Sequence, residues 1–131
     1  MAIERVLYIC TGNSFRSPAA EALTRKYYPD LELESAGTEA TDHIAKNMKR
    51  LLTEEGAIQY VKPQPDQVSE RAVNQADRIV CMMPEHREFL MENFDVEEEK
   101  IQVWNIEDPI RPHVSVSEAF EQIENEVKNL F

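Results

Sequence analysis

A chain of 131 residues, 42% of them hydrophobic, suffices for one ordinary core, and a single domain over 1-131 is expected. A formal net charge of −11 excludes the basic face of a nucleic-acid binder, so no nucleic acid is expected as partner, and any anionic ligand must meet positive potential concentrated at one site. The apolar runs fall well short of the roughly 20 residues of a membrane span, and Met1 to Arg5 lacks a signal peptide's pattern, so a cytoplasmic protein with no membrane partner is expected.

In chain order, Ile3 to Ile9 becomes continuously apolar from Val6, as in a central strand buried on both faces. Cys10-Thr11-Gly12-Asn13-Ser14-Phe15-Arg16 is a loop, after which Ser17 as N-cap and Pro18 at the first position start a helix that Pro29-Asp30 ends. Leu31 to Ser35 alternates strictly and reads as an edge strand with outward glutamates. Thr41 is placed to cap a second helix with Ile44, Met48, Leu51 and Leu52 on one face and Gly56 at the C′ position. Ala57 to Gln67, with Pro63 and Pro65, reads as a loop.

Ser69 is placed to cap a short helix to Gln75, ahead of a third strand, Arg78 to Met82. A helix from Pro84 turns Phe89, Leu90 and Phe94 inward; an acidic turn, Asp95 to Lys100, leads to a fourth strand, Ile101 to Trp104, and an irregular loop, Asn105 to His113. Val116, Phe120, Ile123, Val127 and Leu130 mark the last helix by their three-four spacing. The expected fold is α/β: a doubly wound, four-stranded parallel sheet in the order 2-1-3-4, with about five helices on both faces and a phosphate-binding loop after strand 1. Cys10, Cys81 and the Asn105 to His113 loop would then share the carboxyl edge, where ligands of such sheets bind.

The loop carries the chemistry. Five residues between Cys10 and Arg16 suffice to wrap backbone N–H groups around a tetrahedral oxyanion, with Gly12 and Asn13 able to take left-handed dihedrals. The helix that follows adds its positive end, and Arg16 a planar fork for two oxygens. Both favour a thiolate at Cys10, which is expected to act as a nucleophile on phosphorus. The loop lacks a Gly-Lys-Ser/Thr ending, which excludes a Walker nucleotide loop.

Cys10 to Pro18, Ser35-Ala36-Gly37-Thr38 and Asp108-Pro109, in that order, resemble the low-molecular-weight protein tyrosine phosphatases over essentially the whole chain. The resemblance implies Cys10 as nucleophile, Arg16 as phosphate ligand and transition-state stabiliser, and Asp108 as general acid and then base. It further implies Thr11, Gly12, Asn13, Ser14 and Phe15 with Arg16 as the phosphate loop, and Asn13, Ser17 and Ser35 as its hydrogen-bonded support. Ser14, His43, Ile44 and Ile110 are the expected substrate-pocket wall. The partners implied are a phosphorylated protein or small phosphomonoester and inorganic phosphate as product; no cofactor, no metal and a monomer are expected.

Some positions depart from the family pattern. Phe15 stands where relatives commonly carry a second cysteine, Ile110 where an aromatic often lines the pocket, and Glu70 where many members place a histidine that supports the loop. Ser14, small and hydroxylated, resembles the threonine of the family's phosphoarginine phosphatases. A phosphoarginine phosphatase is thus an alternative, as are an arsenate reductase, disfavoured because no relay pair of cysteines accompanies Cys81, and an idle anion-binding module. Cys81 reads as a small buried residue, and His43, His86 and His113 do not cluster at metal spacing.

Overall fold

The computed structural model describes residues 3–109 and 114–130. Four strands, β1 (Arg5–Cys10), β2 (Glu32–Gly37), β3 (Arg78–Cys81) and β4 (Ile101–Val103), form one parallel sheet in the order β2-β1-β3-β4. The expected order and edge strand are both present. Residues Val6 to Ile9 have no exposed surface, which is why β1 carries no polar alternation: each face of this strand meets helices.

The period-two geometry of β1 divides the core in two. Val6, Tyr8 and Cys10 face a cluster built with α1 (Arg16–Tyr27), α2 (Lys46–Glu54) and α5 (Val116–Lys128), whereas Leu7 and Ile9 face α3 (Glu70–Gln75) and α4 (Pro84–Asn93). Ala19, Ala20 and Ala22 are fully buried, and their small side chains let α1 lie close to both the sheet and α5. The polar tip of Tyr8 is satisfied inside: Thr24 donates to the Ala20 carbonyl, so its hydroxyl oxygen accepts from Tyr8 at 2.7 Å. In the second core, Leu90 is fully buried while Phe89 and Phe94 pack at its margin.

Helix boundaries needed correction at two caps. Ser17 does not cap α1; the helix starts at Arg16 with Phe15 at the cap position, and the Ser17 hydroxyl is turned to the Cys10 sulfur instead. Thr41 does not cap α2, which begins at Lys46; its N–H and hydroxyl both donate to the Gly12 carbonyl. Ser69 does cap α3, accepting from the Ala72 N–H, and Gly56 takes the expected left-handed C′ conformation at φ 69°. Two 3-10 turns, Ile58–Tyr60 and Glu98–Lys100, lie within segments read as loop and acidic turn, and β3 and β4 each end one residue earlier than expected.

Among the described residues no helix is long and apolar enough to cross a membrane.

Candidate active site

The carboxyl end of β1 delivers Cys10 to the base of a loop that closes on the N-terminus of α1. The loop's outer side is pinned by the segment after β2: Thr38, Glu39, Thr41 and Ala45 donate their N–H groups to the carbonyls of Cys10, Thr11, Gly12 and Ser14. A trans peptide points its N–H opposite its C=O, so the next N–H in each unit faces inward, over Cys10. Asn13 shows the direction directly, its N–H lying 3.3 Å from the Cys10 Sγ. The result is a ring of inward amides continued by the α1 N-terminus, a geometry suited to a tetrahedral oxyanion.

Asn13 is the loop's pivot. It is fully buried at φ 53°, a left-handed conformation that asparagine tolerates better than most side chains. Its Nδ2 donates to Ser17 Oγ at 2.7 Å and Ser35 Oγ at 3.0 Å, and its Oδ1 accepts from Lys62 Nζ at 2.8 Å and the Asp66 N–H at 2.9 Å. Ser17 Oγ lies 2.9 Å from Cys10 Sγ, and Ser35 donates to Glu21 Oε1 at 2.6 Å. The three predicted support residues therefore meet. Glu70 takes no part: it is exposed at the start of α3, and the cation on Asn13 is Lys62.

Arg16 is buried, with Nη1 donating to the Ile106 carbonyl at 3.0 Å and Nη2 standing 3.4 Å from Thr11 Oγ1 and 3.6 Å from Asp108 Oδ2. Asn105, at φ 60°, bends the chain after β4 so that this carbonyl and Asp108 return over the loop. Cys10, Arg16 and Asp108, 98 positions apart at the extremes, line one cavity of about 400 Å³ together with Thr11, Gly12, Ser14 and Phe15.

The predicted pocket wall fits only in part. Ser14 lines the cavity and donates to the His43 carbonyl at 2.8 Å. His43 and Ile44 do not line it: His43 is exposed and offers its backbone to Ser14, while Ile44 is drawn into the core between sheet and helices. Thr41, Ala45 and Asn47 stand there instead, because the segment hydrogen-bonded to the loop's carbonyls runs closer than the side chains expected. Ile110, Arg111 and His113 lie outside the described residues.

The family follows from sequence comparison. Residues 5–131 match the model of the low molecular weight phosphotyrosine protein phosphatase family. The chain belongs to this family. Among curated relatives, a protein-arginine-phosphatase of Geobacillus stearothermophilus is 30% identical over 99 residues, 73% of this chain and 66% of the relative. The low molecular weight protein-tyrosine-phosphatase Wzb of Escherichia coli strain K12 is 34% identical over 94 residues, 66% of this chain and 60% of the relative. The chain thus aligns with slightly under two thirds of these relatives' lengths. The solved structure of the YwlE arginine phosphatase from Geobacillus stearothermophilus superposes with a TM-score of 0.82 at 25% identity, covering 97% of this chain and 90% of that one.

Two contacts of this phosphatase-family site had no signal in the sequence. Lys62 sits in a proline-flanked loop 49 positions after Asn13, and His86 reaches Thr11 across 75 positions, with its Nε2 2.8 Å from the Thr11 hydroxyl oxygen. Neither spacing belongs to a local motif. Cys81 is fully buried in the opposite core, and burial pushes its thiol up to about 12.

Proposed function

We propose that the protein is a cysteine-dependent phosphatase that hydrolyses phosphotyrosine or a related phosphorylated protein side chain and releases inorganic phosphate. The observation that carries this reading is the meeting of Cys10, Arg16 and Asp108 at one cavity floored by inward amides. The thiolate, held by the Ser17 hydroxyl and the Asn13 N–H, attacks phosphorus in line with the leaving oxygen. As the P–O bond breaks, the Asp108 carboxyl gives its proton to that oxygen, leaving a phosphocysteine and a carboxylate. Asp108 then takes a proton from water, whose oxygen displaces the sulfur, restoring the thiolate and freeing phosphate. The Arg16 guanidinium and loop amides stabilise the equatorial oxygens in both steps. Every proton and electron pair is accounted for by side chains of this chain and water.

Ser14 favours a second reading, a phosphoarginine phosphatase, because it leaves the cavity wall small and hydroxylated, and because a phosphatase of that name is among the relatives. An arsenate reductase is disfavoured: Cys81 packs on the other side of the sheet from Cys10, so it offers no relay. The acidic surface and two free thiols suit a monomer working in the reducing cytoplasm without nucleic acid or membrane.

Hydrolysis of para-nitrophenyl phosphate in excess EDTA tests the proposal. Turnover is expected, with no activity in Cys10→Ser and a rate about 10²–10⁴-fold lower in Asp108→Ala. No turnover by the wild-type protein, or full activity in Cys10→Ser, would overturn it.

A further inference from the structure

We infer that Lys62 is a positioning residue for the Cys10 thiolate, acting through Asn13 and Ser17; the inference deepens the phosphatase reading above. Lys62 does not line the cavity over Cys10 and touches none of the reacting atoms. Its side chain is only 9% exposed, and its three N–H protons have three acceptors: Asn13 Oδ1 at 2.8 Å, the Ser35 carbonyl at 2.8 Å and Asp66 Oδ2 at 2.7 Å.

The direction of every bond beyond Lys62 follows from chemistry. An ammonium can only donate, and so can the Asp66 N–H, so the Asn13 amide atom that both meet must be its oxygen. The amide nitrogen is thereby committed to Ser17 and Ser35. Ser17 Oγ, having accepted from Asn13, has its own proton left for the one remaining neighbour, Cys10 Sγ. Ser35, in the same position, sends its proton to Glu21. Hydrogen bonds therefore run one way, from the Lys62 ammonium through an amide and a hydroxyl to the sulfur, and an oriented chain of this kind polarises each successive donor. The same amide keeps Asn13 at its left-handed φ, which aims a second donor, its backbone N–H, at the sulfur. Lys62 thus anchors both donors to the Cys10 sulfur, three hydrogen bonds away through Ser17 and two through the Asn13 backbone N–H.

The test reads the thiolate without any substrate. Alkylation of Cys10 by iodoacetamide is followed by peptide mass spectrometry at pH 6 and at pH 9.5. In Lys62→Met the rate at pH 6 is expected to fall about three- to tenfold, as for a weakened charge-assisted bond, with the rate at pH 9.5 unchanged. Lys62→Arg, which keeps a charged donor, is expected to recover most of the loss. An unchanged rate at pH 6 overturns the inference, and so does an equal slowing at both pH values, which would mark a merely structural role. Should Lys62→Met fail to fold, Lys62→Gln is compared in the same way, with the same outcomes. A wild-type protein that alkylates as expected yet hydrolyses no phosphate ester would sink the phosphatase reading and leave this one standing.

Discussion

His86 donates a hydrogen bond to Thr11, and the direction is fixed by a second bond: the Met83 N–H donates to His86 Nδ1 at 3.0 Å, so the neutral ring carries its proton on Nε2, 2.8 Å from Thr11 Oγ1. The start of α4 is thereby tied to the first residue after Cys10 in the phosphate loop, and through the Thr11 hydroxyl to Arg16.

Burial, followed by the nearby Arg16 guanidinium, pushes His86 down to about 4 from 6.5. The unfolded chain takes up this proton as pH falls below about 6.5, but the folded chain resists until about 4, so the unfolded state binds more protons throughout that window. Stability is therefore fully present above pH 6.5 and declines as pH falls toward 4, by on the order of 3 kcal/mol from this residue. Urea unfolding between pH 7.5 and 4.5 should show the decline, and His86→Gln should flatten it while lowering stability at pH 7.5. An equally steep decline in the variant would show that other groups carry it.

Gly37 ends β2 against the back of the phosphate loop. A Cβ there would lie 2.4 Å from the Thr11 carbonyl oxygen and 3.0 Å from the Asn13 nitrogen, both backbone atoms that cannot swing aside. Gly37→Ala is expected to cost about 1–3 kcal/mol, as overpacking does, and to lower kcat more than a stability loss elsewhere of the same size. Denaturant unfolding alongside para-nitrophenyl phosphate kinetics would read both quantities.

Ser14→Ile is expected to move substrate preference from phosphoarginine toward phosphotyrosine, because it replaces a hydroxyl on the cavity wall with a branched apolar surface suited to a ring. The ratio of kcat/KM on the two phosphorylated side chains is the measurement. An unchanged ratio would show that position 14 is not the discriminator.

Peroxide should inactivate the enzyme with poor recovery. Relief of an oxidised Cys10 by an internal disulfide needs a second thiol on the same side of the sheet, yet Phe15 occupies the adjacent loop position and Cys81 pairs in register with Ile9 on the opposite face. Oxidation therefore climbs past sulfenic acid under excess peroxide. After such a pulse, dithiothreitol is expected to restore only a minor part of the activity, and intact-mass analysis should find sulfinic acid on Cys10. Full recovery would count against this account.

What was legible in the sequence depended on distance along the chain. The sheet order and the helix over residues 116–128 were readable because burial on two faces and three-four spacing are local patterns. Cys10, Arg16 and Asp108 belong to motifs far apart in the chain, and the fold brings the three to one cavity. Ser17 and Thr41 misled as caps because each hydroxyl has a partner that no local rule anticipates, a thiol in one case and a loop carbonyl in the other. Lys62 and His86 were unreadable for the same reason: their acceptors are tertiary neighbours, and a lone lysine or histidine in sequence looks the same whether it is solvated or committed.

The partners of Asn13 come from positions 17, 35, 62 and 66, and Arg16 finds its carbonyl only at position 106. During synthesis, where the N-terminal part of a chain leaves the ribosome first, Cys10 emerges long before most of the groups that aim it. A nascent or truncated chain therefore lacks the Lys62 and Ile106 contacts that hold Asn13 and Arg16 around Cys10. If the proposed phosphatase activity holds, it would report on completed folding, and cleavage anywhere between α2 and β4 would be expected to silence the site from afar.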